Sequence, residues 1–287
     1  MTYLTSTGFG KLFLVATPIG NLKDITLRAV ETLQNVDLIA AEDTRHSHIL
    51  LNHLGIKKPL LSLHSHNENT RSSEIIEKLK NGLNIALISD AGTPLISDPG
   101  YTLVRLAREN HLDVIPIPGA CALIAALSAS GLSCGTFFFA GFAPVHTQAR
   151  QNYLKNFSTT DYTLIFYEAP HRILDFIEDA YTVFEQKKSV VLAKEITKTF
   201  ECFFSGSLAD AIIWLKEAPE HQKGEFVVMF SGTQASNSDP FEQSIENVLK
   251  PLLKALPLKQ AVQLAAEITG QKKNKIYAQA LAIQQVL

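Results

Sequence analysis

Asp90 stands in a twelve-residue run, Ser89-Asp90-Ala91-Gly92-Thr93-Pro94-Leu95-Ile96-Ser97-Asp98-Pro99-Gly100, that offers carboxylates, hydroxyls and backbone N–H groups within one short stretch. Such a loop can hold a polar ligand at the carboxyl end of a strand, or it can simply turn the chain, because Asp-Ala-Gly-Thr-Pro is also ordinary turn chemistry. Two Pro and two Gly fix its shape. Six further short runs of the same character follow apolar segments. They are Thr17 to Leu22, Ala41 to Arg45, Pro118 to Ala122, Phe166 to Arg172, Lys194 to Lys198 and Gly224 to Val227. Glu42, Asp43 and Arg45 in one of them, and Glu168, His171 and Arg172 in another, have the groups needed to move a proton or bind a phosphate. Ion pairing between domains or protomers is the alternative use of the same charges.

Absent motifs narrow the chemistry. No Gly-x-Gly-x-x-Gly follows the first apolar run, and neither Gly-x-x-x-x-Gly-Lys-Ser/Thr nor Gly-x-Ser-x-Gly occurs, which removes the usual dinucleotide, P-loop and α/β-hydrolase signatures. His64 and His66 beside Glu68 do not amount to a ligand set, and no metal is expected. Cys121, Cys134 and Cys202 show no Cys-x-x-Cys spacing and are odd in number, as expected of a reducing cytoplasm. Cys121, among alanines, reads as a small apolar side chain.

The loops need strands and helices to position them. Lys11–Thr17, Asp37–Ala41, Leu60–Leu63, Asn84–Ile88 and Asp113–Ile117 read as strands. Helices are expected after Asp24 as N-cap, with Ile25, Leu27, Val30 and Leu33 on the apolar face, then up to Leu54, over Ser72–Lys80 and over Tyr101–Arg108. This alternation implies a parallel sheet with right-handed crossovers. Pro116-Ile117-Pro118-Gly119 reads as a hinge, since its prolines oppose regular pairing. Beyond it come a small-residue helix, Ala120–Ala129, and strands over Phe137–Phe142, Thr163–Tyr167, Ser189–Lys194, Phe200–Ser205 and Phe226–Phe230. Helices near Gln148–Phe157, His171–Phe184 and Leu208–Lys216 complete a mixed α/β region.

The expected organisation is therefore an N-terminal α/β domain over 1–118, a second α/β domain over 119–232, a linker over 233–245 and a small basic helical module over 246–287. With 287 residues, 46% of them hydrophobic, the chain can bury that much core. Its net charge of −2 speaks against a uniformly basic surface, but the module has six Lys against two Glu. Its helices, Leu258–Ile268 and Lys273–Leu287, flank Thr269-Gly270 and fit either a helix-turn-helix-like RNA contact or a hairpin packed on the body. Met1–Gly10 lacks the pattern of a signal peptide, and Val114–Leu127, broken by Pro116, Pro118 and Gly119, is too short for a membrane span.

At these seven loops the sequence resembles the tetrapyrrole-methylase-like (class III) superfamily of S-adenosylmethionine-dependent methyltransferases. Within it the resemblance is to the ribosomal RNA small-subunit methyltransferase I branch, which methylates the ribose 2′-hydroxyl of a cytidine in 16S rRNA. It runs from about Lys11 to Ser231, and a basic C-terminal extension is usual in that branch. The resemblance implies a two-domain α/β homodimer with the cofactor between the domains. By position in the motifs it implies cofactor contacts at Pro18, Ile19, Gly20, Asp90, Gly92, Thr93, Cys121, Ala122, Tyr167 and Val227. Since those loops are then occupied, Asp43 and Arg45 are the expected catalytic or substrate-facing groups. The implied partner is 16S rRNA or the small ribosomal subunit, with no membrane involved. Ser-Asp-Ala-Gly-Thr-Pro replaces the Gly-x-Gly-Asp-Pro type of the tetrapyrrole enzymes, which counts against a small tetrapyrrole substrate. A nucleic-acid-binding regulator that uses only the C-terminal helices is the reading from another class, and it leaves the loops over 17–230 without a use.

Overall fold

The computed structural model describes residues 8–184, 188–232 and 240–284. The first seven residues, on which most of the leader question falls, and 233–239 of the expected linker lie outside them.

The first half of the chain alternates β1 (Leu12–Val15), α1 (Leu27–Asn35), β2 (Leu38–Ala41), α2 (Thr44–His53), β3 (Leu60–Ser62), α3 (Glu68–Lys80), β4 (Ile85–Ile88), α4 (Tyr101–Glu109) and β5 (Val114–Ile117). The five strands form one parallel sheet in the order β3-β2-β4-β1-β5. β4 lies at its centre and is buried at every residue, which is why it reads as an unbroken apolar run rather than an alternating one. Leu33 and Ala29 of α1 pack with Leu51 of α2 on one face, while Ile75 and Leu79 of α3 pack with Leu103 and Ala107 of α4 in a separate core. The connections leaving the adjacent strands β1 and β4 run in opposite directions along the sheet. That makes the crevice at their carboxyl ends a topological switch point.

The second sheet follows α5 (Ala122–Ala129). Its elements are β6 (Phe137–Phe142), α6 (Thr147–Lys155), β7 (Thr163–Glu168), α7 (Ile173–Val183), β8 (Ser189–Lys194), β9 (Cys202–Ser207), α8 (Leu208–Glu217) and β10 (Phe226–Phe230). The order is β6-β7-β10-β8-β9, with β6 and β7 parallel and the other neighbours antiparallel. An aromatic core of Phe166, Phe176 and Phe230 lies beneath α6 to α8, with ring centroids 5.2 to 6.1 Å apart. The apolar side of α5 covers the opposite face through Leu123, Ala126 and Leu127.

Both sheets belong to one compact unit ending at Ser231, and the C-terminal helices form a second. These are α9 (Pro240–Ala255), α10 (Leu258–Thr269) and α11 (Lys273–Gln284), joined around Leu249, Val262, Ala265, Ile276 and Ala280. α9 begins inside the stretch read as linker, and Gly270 closes α10 in a left-handed conformation at φ 67°.

Several local expectations change. Asp24 ends a short 3-10 turn, and the N-cap of α1 is Thr26, whose hydroxyl accepts the Ala29 N–H at 3.1 Å. Leu27 therefore sits in the first turn and is 90% exposed, while the inward face falls on Ala29 and Leu33. Pro116 does not interrupt pairing, because β5 is an edge strand and the missing N–H faces away from β1. α3 starts at Glu68, four residues before the periodicity implies. The Glu68 carboxylate accepts the N–H groups of Gly100 and Thr102 at 3.1 and 2.7 Å, so that side chain caps α4. No described helix is long and apolar enough to cross a membrane.

Candidate active site

The loops after β1 and β4 meet at the switch point. Thr17 and Gly92 exchange backbone hydrogen bonds at 2.9 and 3.0 Å, and the buried Thr17 hydroxyl reaches the Ser89 carbonyl at 3.2 Å. The Thr93 hydroxyl donates to the Ala120 carbonyl at 3.1 Å and so ties the same loop to the chain leaving β5. From the second sheet, the Tyr167 hydroxyl accepts the Leu123 N–H at 3.1 Å and fixes the start of α5. Burial pushes that hydroxyl's pKa above the usual tyrosine range, so Tyr167 stays neutral. Between these walls lies a cavity of about 430 Å³, the size of one cofactor-like ligand.

Ile19, Asp90, Gly92 and Thr93 line it from the first sheet, and Cys121, Ala122, Tyr167 and Val227 from the second. Pro18 faces an adjoining recess that shares Asp90 with the main cavity. Gly20 lies against the Glu195–Lys198 loop, and a Cβ there would collide with the Lys198 side chain. A glycine is required at that contact. Lys198 in turn bridges Glu195 and Glu225, each at 2.8 Å.

One end of the cavity is acidic. Asp90 accepts the Asp43 N–H at 3.1 Å, which draws Glu42 close, and Asp98 lines the same wall. Burial raises the Glu42 pKa, and the charges of Asp98 and Asp90 raise it further. Burial pushes Asp98 up to about 6; a hydrogen bond from Ser89 opposes the shift and the charge of Asp90 adds to it. Three mutually repelling carboxylates in a half-buried wall favour a cationic ligand, which would relieve the repulsion. S-adenosylmethionine has the matching chemistry, with an ammonium and a sulfonium for the acidic end and an adenine for the apolar surface of Ala122, Ile196 and Val227.

Asp43 and Arg45 do not enter the cavity. The Asp43 carboxylate caps α2 by accepting the Arg45 N–H at 2.8 Å and pairs with the Arg45 guanidinium at 2.8 Å, which holds its pKa down at about 2. The Arg45 side chain is 90% exposed. Arg172 also turns inward, donating to the Ala143 carbonyl at 2.6 Å, with Nε 3.2 Å from Glu168 Oε1 but not aligned for a hydrogen bond.

Sequence reasoning did not single out Asp98, Phe142, Ile196 or Lys198, all of which line the cavity. Gly141 within an aromatic strand was the available signal for Phe142, since an isolated strand glycine marks a bulge. Four non-glycine residues with positive φ lie in pairs in two of the loops that reach the cavity, Leu95 and Ser97 at 73° and 71°, Glu195 and Thr197 at 51° and 66°, and of these Ser97 is in the lining. Backbone of this kind concentrates where a ligand is gripped.

A ligand cavity at the carboxyl edge of a parallel sheet, closed by the loops of a mixed sheet, defines a two-sheet α/β protein with an acid-ended cavity between its sheets. The chain belongs to the family described as Tetrapyrrole (Corrin/Porphyrin) Methylases, which it matches over residues 11–212. Residues 239–284 match the RsmI C-terminal HTH domain. Among curated relatives, the ribosomal RNA small subunit methyltransferase I of Haemophilus influenzae is 51% identical over 283 residues, 98% of this chain and 99% of the relative. The protein of that name from Escherichia coli O157:H7 is 49% identical over 276 residues, 96% of each chain. Solved structures with the same fold include diphthine synthase, with a TM-score of 0.60, 16% identity and coverage of 77% and 90%. The methyltransferase CobJ has a TM-score of 0.59, 17% identity and coverage of 80% and 98%.

Proposed function

We propose that the chain is an S-adenosylmethionine-dependent methyltransferase acting on the ribose 2′-hydroxyl of a cytidine in 16S rRNA, as a cytoplasmic homodimer. The observation that carries this reading is the identity of about half of all residues, over nearly the whole chain, to proteins named as small-subunit rRNA methyltransferases. The neighbours whose names mention tetrapyrrole chemistry are 14–18% identical and share the fold alone, so a tetrapyrrole substrate has less support. The edge strand β6, with Phe137 and Phe138 each about two-fifths exposed, offers the homodimer an apolar surface.

When bound, S-adenosylmethionine supplies a methyl group already activated on a sulfonium. The protein's own work is alignment and removal of a hydroxyl proton. Asp90 and Asp98 balance the positive charge, Tyr167 holds the α5 end of the site in place, and Ile19, Ala122 and Val227 present apolar surface. Glu42 and Asp98, with raised pKa values and a place in the lining, are better suited to receive a proton than Asp43, which is a weak base near 2. Arg45 stands outside the cavity, where it suits an RNA phosphate. The lysines of the C-terminal unit suit further phosphates, and a chain ending at Gly232 should keep cofactor affinity while its KM for RNA rises.

Methyl transfer from labelled cofactor to small ribosomal subunits, to free 16S rRNA and to a porphyrinoid tests the reading. Label in subunit RNA, at a linkage that resists alkaline cleavage because its 2′-oxygen is blocked, is the expected result. Label only in the porphyrinoid, or at a base, overturns it.

A further inference from the structure

We propose that Phe142 is the platform on which the base of the methylated nucleotide stacks, and that a β-bulge at Gly141 is the device that aims it. The proposal rests on the reading of the chain as an RNA ribose methyltransferase. In β6, Phe138 lies on the α6 to α8 side of the sheet, partly exposed at its edge with its ring 5.5 Å from Phe157, and Ala140 packs into the core on that side. Phe139 faces the other way, 4.8 Å from Tyr167. Regular alternation would send Phe142 to the Phe138 side and away from the cavity. The register shifts instead. Phe139 pairs with Ile165 and Phe142 with Tyr167, so three steps along β6 match two along β7.

Gly141 makes the shift possible. Its φ of 66° is one that side-chain-bearing residues rarely adopt, and the space around it is open, so packing does not demand a glycine there. The extra residue flips Phe142 onto the Tyr167 face, with ring centroids 5.9 Å apart at 66°. Phe142 lines the cavity and is still 54% exposed.

The support beyond it is rigid. The Ala143 carbonyl accepts from Arg172 at 2.6 Å and the Val145 carbonyl from Arg150 at 2.8 Å, and Arg150 is buried and hydrogen-bonded to Asp179 at 2.6 Å. A large, half-open aromatic ring on a pinned loop has the properties of a preorganised contact.

Chemistry selects the occupant. With the cofactor in the cavity, as the proposed function has it, the second reactant approaches from the open side. Its attacking oxygen is on C2′, and the neighbouring carbon C1′ carries the base. The base thus arrives beside the reacting oxygen, and Phe142 is the exposed aromatic among the residues that line the cavity. Unpaired RNA bases are gripped by stacking on aromatic side chains.

Phe142→Ala, Phe142→Leu and Phe142→Trp in the full-length protein test the platform. Each is measured for methyl transfer to small-subunit RNA, for cofactor affinity by calorimetry and for oligomeric state by sedimentation. The loss of one stacked base should raise the KM for RNA about 5- to 150-fold in Phe142→Ala. Because Phe142 also lines the cofactor's cavity, cofactor affinity should fall, but by far less than the KM for RNA rises. Phe142→Trp should recover the wild-type KM and Phe142→Leu should not, a difference that a packing role would not produce. Gly141→Val, which resists positive φ, should reproduce the Phe142→Ala defect. A Phe142→Leu enzyme as good as Phe142→Trp, an unchanged KM in Phe142→Ala, a lost cofactor affinity or a lost oligomer each overturns the proposal. A wild-type enzyme that transfers no methyl to ribosomal RNA overturns the substrate reading and the platform with it, whereas an active wild type with indistinguishable variants overturns the platform alone.

Discussion

Asp90 Oδ1 accepts the backbone N–H of Asp43 at 3.1 Å, and this bond joins the loop after the central strand β4 to the loop after its neighbour β2. Asp90 is thus both a cavity wall and a strut. Asp90→Ala should lose the strut, at about 0.5–1.5 kcal/mol, together with one carboxylate of the acidic end. Asp90→Asn keeps an oxygen for the strut and removes only the charge. Calorimetry should then show S-adenosylmethionine affinity reduced by about tenfold or more in both, with unfolding shifted only in Asp90→Ala. Wild-type affinity in Asp90→Asn would remove the charge from the account.

Asp98 makes stability and binding depend on pH in opposite directions. With its carboxyl pushed up to about 6 by burial, the folded protein between about pH 4 and 6 holds a proton that the unfolded chain has released. This group's stabilising contribution is complete at the acid end and disappears as the pH rises through 6. Asp98→Asn should flatten that part of the thermal unfolding profile. Affinity for the cationic cofactor should instead rise with pH through the same window, by up to about tenfold per unit, and lose that dependence in Asp98→Asn.

Glu68 holds the far end of the Ser89–Gly100 loop through the N–H groups of Gly100 and Thr102. Glu68→Ala leaves the start of α4 without a side-chain acceptor and should cost about 1–3 kcal/mol, a fall in melting temperature of about 2–4 °C for each kcal/mol. Since the loop carries Asp90 and Asp98, cofactor affinity should fall as well. Glu68→Gln, which can still accept one of the two N–H groups, should lie between the wild type and Glu68→Ala in both measurements.

Arg45 is exposed and paired only with Asp43 among the described residues, so Arg45→Ala should leave thermal unfolding unchanged. If the guanidinium meets an RNA phosphate, binding to small-subunit RNA should weaken and the slope of log affinity against log salt should shrink by about 1. An unchanged slope would assign the residue to its ion pair alone.

Much of the site was legible because its residues sit where strands end. Ile19, Asp90 and Cys121 follow three neighbouring parallel strands whose carboxyl ends share one edge; strand and loop patterns put the Asp90 loop there, while the family resemblance singled out Ile19 and Cys121. Apolar runs and turn residues likewise located nearly every strand, because burial on both faces leaves a continuous hydrophobic signature in β4 and β10.

What stayed hidden depends on partners distant in sequence. Glu68 looks like a loop carboxylate until Gly100 and Thr102 are brought to it, and Asp98 like a turn residue until burial and Asp90 raise its pKa. Asp43 and Arg45 face away from the cavity because Asp43 is needed to cap α2, a choice between two uses of one carboxylate that spacing does not decide. The sequence by itself determined the order of the elements, the parallel sheet and the loops that meet at its edge, since those follow from nearest-neighbour patterns of burial and turn chemistry. Tertiary structure alone decided which carboxylates became buried, which arginines turned inward and which face of β6 Phe142 occupies, because each depends on a long-range hydrogen bond or on a one-residue shift in pairing.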